Sequence, residues 1–150
     1  MKISKIDIVL VGMQLVLFVA YIFDLSSLNL QVPEETSFVN LGLAIAGLIL
    51  IIISILQLNT NLSIFPTPKK DGKLVISGLF KYVRHPIYSG ILMTAFFFAL
   101  YSNSGYRLII FLLLVILFYF KSNYEEKALL KKFPAYRSYR ASTGRFFPKF

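Results

Sequence analysis

The chain has 150 residues, 57% of them hydrophobic, with a mean hydropathy of +0.70 and a formal net charge of +9. That length supports one domain, residues 1–150, and such apolarity excludes an ordinary water-soluble protein, so the positive charge points to a membrane surface and not to nucleic acid. The sequence has no cysteine and one histidine, His85, which excludes disulfides, a cysteine nucleophile and thiolate or multi-histidine metal sites.

Four apolar spans are predicted in chain order, giving an all-α membrane bundle with a cytosolic C-terminal helix and tail. The first covers about residues 6–23, with Asp7 at its start and Gln14 in its middle. It has no small-residue cleavage site behind it and is read as a retained span, not a signal peptide. The second covers about 38–58 and carries Gly42, Ala44, Ala46 and Gly47, small residues that let helices approach closely in lipid. The third, about 86–101, and the fourth, about 106–120, are separated by Ser102, Asn103, Ser104 and Gly105, a turn that predicts an antiparallel hairpin. Each of these two spans reaches only ~22 Å against ~30 Å of hydrocarbon, so each must run beyond the lipid or thin it. The fourth is expected to continue as helix to Phe133, where Pro134 ends it.

The basic residues orient the bundle. Lys2 and Lys5 precede the first span, five Lys and Arg from Lys69 to Arg84 lie between the second and third, and eight from Lys121 to Lys149 follow the fourth. Only Arg107 is left for the other side, where Asp24, Glu34 and Glu35 also lie. A multi-pass protein with both termini and its chemistry at the cytoplasmic face of a lipid bilayer is the expectation.

Two segments on that face attract attention. In residues 78–90, Pro86 suits the first helical turn and pushes His85 toward an extended conformation at the mouth of the third span. The free N–H groups there favour an anion, and Arg84 strengthens that preference. Taken singly, Lys81 and Arg84 read as lipid-headgroup contacts, Tyr82 and Tyr88 as interfacial anchors and His85 as a cap; the run as a whole favours a site. The second segment runs from Lys121 to Glu126. Lys121 and Glu125 are four apart and can pair for ~0.2–0.5 kcal/mol, while Glu126 faces another way, toward the arginines of the tail. A cationic cofactor or ribose hydroxyls account better for an acid at Glu125. The tail beyond Phe133 alternates aromatic and basic residues, which suits the lipid interface or a cover over a pocket.

With its Leu74-Val75-Ile76-Ser77-Gly78 run, its Arg84-His85-Pro86-Ile87-Tyr88-Ser89-Gly90 run, a hydrophobic hairpin, Glu125-Glu126, and a tail of Phe133, Tyr136, Tyr139, Arg145 and Pro148, the chain resembles the membrane methyltransferases related to isoprenylcysteine carboxyl methyltransferase and the phospholipid N-methyltransferases. The resemblance covers about residues 69–148, the catalytic core. It implies an enzyme that uses S-adenosylmethionine, releases S-adenosylhomocysteine and methylates a lipophilic acceptor, a prenylcysteine-like carboxylate or a lipid amine. It implies cofactor contacts from Lys73, Leu74, Val75, Phe80, His85, Pro86, Ile87, Tyr88 and Glu125. It implies catalytic roles for Lys121 and Glu125, with Lys121 facing the acceptor and Arg84 beside it. Lys121 stands where the prenylcysteine enzymes carry an arginine, and a lysine cannot form the bidentate carboxylate fork. Phe80 stands where a tyrosine is common.

Two other readings compete. Membrane reductases of sterol-reductase type use NADPH and carry a similar arginine–histidine–proline run, but Ile87 and Ile91 occupy the places of their asparagine and acid. A non-catalytic membrane adaptor accounts for the charge and the aromatics but not for the ordered motif.

Overall fold

The computed structural model describes residues 4–23, 28–58, 63, 65–68 and 71–149. The topology markers Lys2, Asp24, Lys69 and Lys70 lie outside the described residues. Five α-helices follow in order: α1 (Lys5–Ile22), α2 (Ser37–Leu58), α3 (Pro86–Tyr101), α4 (Gly105–Lys132) and α5 (Tyr136–Ser142). Short 3-10 turns at Glu34–Thr36 and Gly78–Lys81 lead into α2 and toward α3. No strand occurs among the described residues, only two isolated bridges.

Three helices are long and apolar enough to cross a membrane: α1, α2 with its leading turn, and α4. The shorter α3 has 16 residues, ~24 Å of rise. The helix ends follow the local chemistry. Ser4 caps α1 and exchanges hydrogen bonds with Asp7 in a capping box. Ser104 caps α4 by accepting from Arg107 N. Asn103 between α3 and α4 has φ 51°, a left-handed conformation that asparagine tolerates well. The turn is pinned from outside by Leu30 N donating to Asn103 O and Gly105 N to Leu28 O. As expected, α4 runs on beyond Phe120, and Phe133 caps it directly before Pro134.

The helices are ordered α2–α3–α4–α1 through their contacts. α2 and α3 approach most closely at glycines: a Cβ on Gly47 would stand 2.9 Å from Gly90 O, and one on Gly90 would stand 2.8 Å from Gly47 O. Of the four small residues expected to pack α2, Ala44 and Gly47 are buried, whereas Gly42 faces open space. A small core of Ala95, Ile110, Leu114 and Phe118 joins α3 to α4, with Leu17 and Phe18 of α1 against it. The outer faces are apolar: Val16 is 67% exposed and Leu56 71%, which suits lipid and not water. Polar groups within the apolar helices find partners inside the bundle, as hydrocarbon favours: Tyr21 Oη donates to Ala95 O at 2.6 Å and Ser54 Oγ to Leu50 O at 2.6 Å.

Candidate active site

At the end of the bundle that holds the α3 N-terminus, the chain encloses a cavity of about 320 Å3. The site residues singled out from the sequence reach it from a continuous run before and into α3 and from the extension of α4. The start of α3 contributes His85, Pro86, Ile87 and Tyr88, the polar extension of α4 contributes Lys121 and Glu125, and the segment before α3 contributes Lys73, Leu74, Val75, Phe80 and Arg84. All eleven residues singled out from the sequence therefore line one cavity.

The α3 entrance is built by backbone pairing. Gly78 has φ +61°, which allows the 3-10 turn, and Leu79 N donates to Gln57 Oε1 at 2.8 Å. Arg84 N then donates to Gly144 O and His85 N to Arg145 O, so the tail lies alongside residues 83–85. This pairing leaves His85 at φ −125°, ψ 62°, with φ in the range expected before proline but ψ short of fully extended. Its side chain makes no cap bond to the helix. It stacks instead on Tyr88, with centroids 5.3 Å apart and planes within 3°, and Tyr88 stacks on Phe118 at 4.6 Å.

The two glutamates bracket the imidazole. Glu125 Oε2 accepts from Tyr88 Oη at 3.0 Å and lies 3.7 Å from His85 Nδ1. Glu126 Oε1 lies 3.1 Å from His85 Nε2 and accepts from Arg84 Nε at 3.0 Å. As expected from the sequence, Glu126 also meets the tail arginines, with Arg140 Nε at 3.2 Å and Arg145 Nε at 3.4 Å. Both acids belong to the part of α4 past its apolar run, and their environments push them apart. Burial raises the Glu125 carboxyl, against the opposing pull of His85, the Tyr88 hydroxyl and Lys121. Burial acts in the same sense on Glu126, but His85 and Arg84 outweigh it and hold that carboxyl down to about 2.

Lys121 is 2% exposed, and its ammonium donates to Gln14 Oε1 of α1 and lies 5.5 Å over the Tyr88 ring. Gln14, Ile55 and Leu58 all line the cavity, so the first two helices supply part of its wall and are more than scaffold. Other lining residues not anticipated as site residues include Phe65, Pro66, Tyr136 and Tyr139. Tyr136 is 1% exposed, and its hydroxyl has no hydrogen-bond partner among the described residues. In the sequence it stood out only within the aromatic–basic tail and the family resemblance that the tail helps to carry. Gln14, a lone amide in an apolar span, carried a signal of its own: a polar side chain in lipid needs a partner.

The phospholipid methyltransferase family model matches residues 36–136, well over half of the chain. The match takes in α2, α3 and α4 and omits α1. No curated protein matches the chain.

Proposed function

The chain belongs to the phospholipid methyltransferase family, and on that premise we propose that its 150 residues form one membrane enzyme that transfers a methyl group from S-adenosylmethionine to a lipophilic acceptor, a carboxylate or a lipid amine. The observation that carries this reading is the convergence of the 73–80 segment, the 84–88 segment, Lys121 and Glu125 on one cavity. Its volume lies at the lower end of the roughly 300–1,000 Å3 usual for small-molecule sites.

The residues present fit the cofactor. Leu74, Val75 and Phe80 offer an apolar wall for a base, the Glu125 carboxylate suits a cationic or hydroxyl group, and the partnerless Tyr136 hydroxyl is a buried polar group in need of a ligand. When bound, S-adenosylmethionine supplies an electrophilic methyl group on a sulfonium. The chain's own task is to align the acceptor and exclude water, since in-line displacement depends chiefly on positioning and desolvation. His85 and Tyr88 line the cavity as a stack backed by Phe118, and Tyr88 Oη donates to Glu125 Oε2. A carboxylate acceptor needs no base. An amine acceptor must release a proton, and Glu125, with its raised carboxyl, and His85 are the groups at hand to take it. The family match favours this chemistry over the reductase and adaptor readings.

The topology proposed with it is four crossings, with both termini and the cavity at the cytoplasmic face. Calorimetry of the purified protein in detergent tests the activity. S-adenosylmethionine and S-adenosylhomocysteine should both bind, and His85→Ala and Glu125→Ala should each weaken binding at least tenfold. Lack of binding by the intact protein would overturn the proposal, and wild-type affinity in both variants would move the cofactor elsewhere.

A further inference from the structure

We infer that Asp7 is a positioning residue, which from the first turn of α1 clasps the 65–68 wall of the cavity through Thr67 and so holds the ligand site in shape. The inference rests on the reading above for the ligand, and gives a role to a helix that the family match leaves out.

A carboxylate in the first turn of an apolar helix is costly to bury, and a buried one calls for a partner and a function. Asp7 is 0% exposed. Capping accounts for part of its bonding: Oδ2 accepts from Ser4 N at 2.9 Å, and Ser4 Oγ accepts from Asp7 N at 3.0 Å. A capping box works equally well at a solvated helix end, so it leaves the burial unexplained. The same Oδ2 also accepts from Thr67 Oγ1 at 2.7 Å, across 60 positions of sequence. That is the length expected of a hydroxyl bonded to an ionised oxygen.

The segment that Thr67 belongs to has little means of holding itself. Phe65, Pro66 and Pro68 line the cavity, with Thr67 between the two prolines. Neither proline has an N–H to donate, and each turns the residue before it away from helical conformation. The stretch therefore forms neither a helix nor a ladder, and its local bond is Phe65 N donating to Ser63 Oγ at 3.2 Å. An anchor from outside fixes such a segment, and the bond from Thr67 to Asp7 is one. The same turn of α1 reaches α4 as well: Ser4 Oγ lies 2.9 Å from Tyr124 Oη, one residue before Glu125. One capped helix start thus joins the 65–68 wall to the stretch of α4 that carries Glu125. Asp7 and Gln14 are seven positions apart and share a face of α1, so the face that carries the clasp also lines the cavity.

A role for Asp7 in helix capping alone predicts lower stability on its removal, with ligand affinity unchanged and no effect of Thr67 on either. The test therefore reads affinity and the position of the wall. Calorimetry with S-adenosylhomocysteine is run on the intact protein in detergent. Thr67→Val, which leaves the capping box whole, should weaken binding about tenfold, and Thr67→Ser, which keeps the hydroxyl, should stay within about twofold of wild type. Asp7→Ala should weaken binding at least as much as Thr67→Val. Asp7→Ala combined with Thr67→Val should lose little more than Asp7→Ala alone, because the two act through one bond. The chain has no tryptophan, so Phe65→Trp gives a single fluorophore on the wall. Its quenching by acrylamide, without any ligand, should rise about twofold when Thr67→Val is added. Wild-type affinity in Thr67→Val, additive losses in the double variant, or quenching that Thr67→Val leaves unchanged overturns the inference. Failure of the methyltransferase reading looks different: wild type would not bind S-adenosylhomocysteine, while the quenching would still report whether Thr67 holds the wall. Should Asp7→Ala or Phe65→Trp fail to fold, Thr67→Val against Thr67→Ser still decides the matter.

Discussion

Glu126 Oε1 lies 3.1 Å from His85 Nε2, with the glutamate side chain 2% and the histidine side chain 5% exposed. The same oxygen meets Arg84 Nε at 3.0 Å and Arg145 Nε at 3.4 Å. One carboxylate thus ties α4 to the start of α3 and to the tail, and it fixes the imidazole that forms part of the cavity wall.

Removing that carboxylate leaves the buried Arg84 guanidinium without its carboxylate partner, which is far costlier than losing a surface ion pair. Glu126→Ala should destabilise the protein by about 3–5 kcal/mol. Thermal unfolding in detergent checks this, and an unchanged midpoint would contradict it. Because His85 loses its anchor, binding of S-adenosylhomocysteine should weaken as well.

Acid should expose the same group. The Glu126 carboxyl sits at about 2 in the folded protein, against roughly 4.3 in an unfolded chain. The unfolded state therefore takes up the proton first. The stability due to Glu126 is complete above about pH 4.3, and it is lost as pH falls toward the folded value of about 2. Unfolding measured across that window should fall more steeply for wild type than for Glu126→Gln, which has no carboxyl to titrate. Parallel curves would show that the group does not govern this range.

The contact between α2 and α3 should tolerate no side chain at its tightest point. A Cβ on Gly90 would stand 2.6 Å from the Ile51 side chain and 2.8 Å from Gly47 O. The backbone oxygen cannot move aside cheaply, so Gly90→Leu should cost about 1–3 kcal/mol or more through overpacking. Gly42, with nothing within 4 Å of its would-be Cβ, should accept Ala at no loss. Paired thermal unfolding of the two variants checks the contrast.

The orientation can be tested directly because the chain has no native cysteine. A cysteine at the exposed Lys127 should react with a membrane-impermeant thiol reagent only after the cells are opened, and one at the exposed Gln31 should react in intact cells. The reverse pattern would invert the proposed topology.

Much of the candidate site was legible in the sequence because its main residues fall in two short runs, one at the start of α3 and one in the polar extension of α4. Pro86 marks where α3 begins, and Pro134 follows the end of α4. The separation of Glu125 from Glu126 was legible in outline as well, because neighbours on a helix point about 100° apart. That the two would close around one histidine was not, since it depends on where the α3 entrance docks.

The amino-acid sequence by itself determined the four long helices, their approximate ends and the sorting of charge, while the short α5 in the tail was not legible. Lipid leaves the backbone no alternative to internal hydrogen bonding, so apolar runs and their proline and polar boundaries suffice. Only the tertiary structure decided which distant groups meet. Gln14 and Lys121 are 107 positions apart, and Arg84 and Glu126 are 42. The packing of α1 and the tail against α4 brings these pairs together, and neither hydropathy nor local spacing encodes that packing. The same packing turned Gln14, one amide in an apolar helix, into part of the cavity wall.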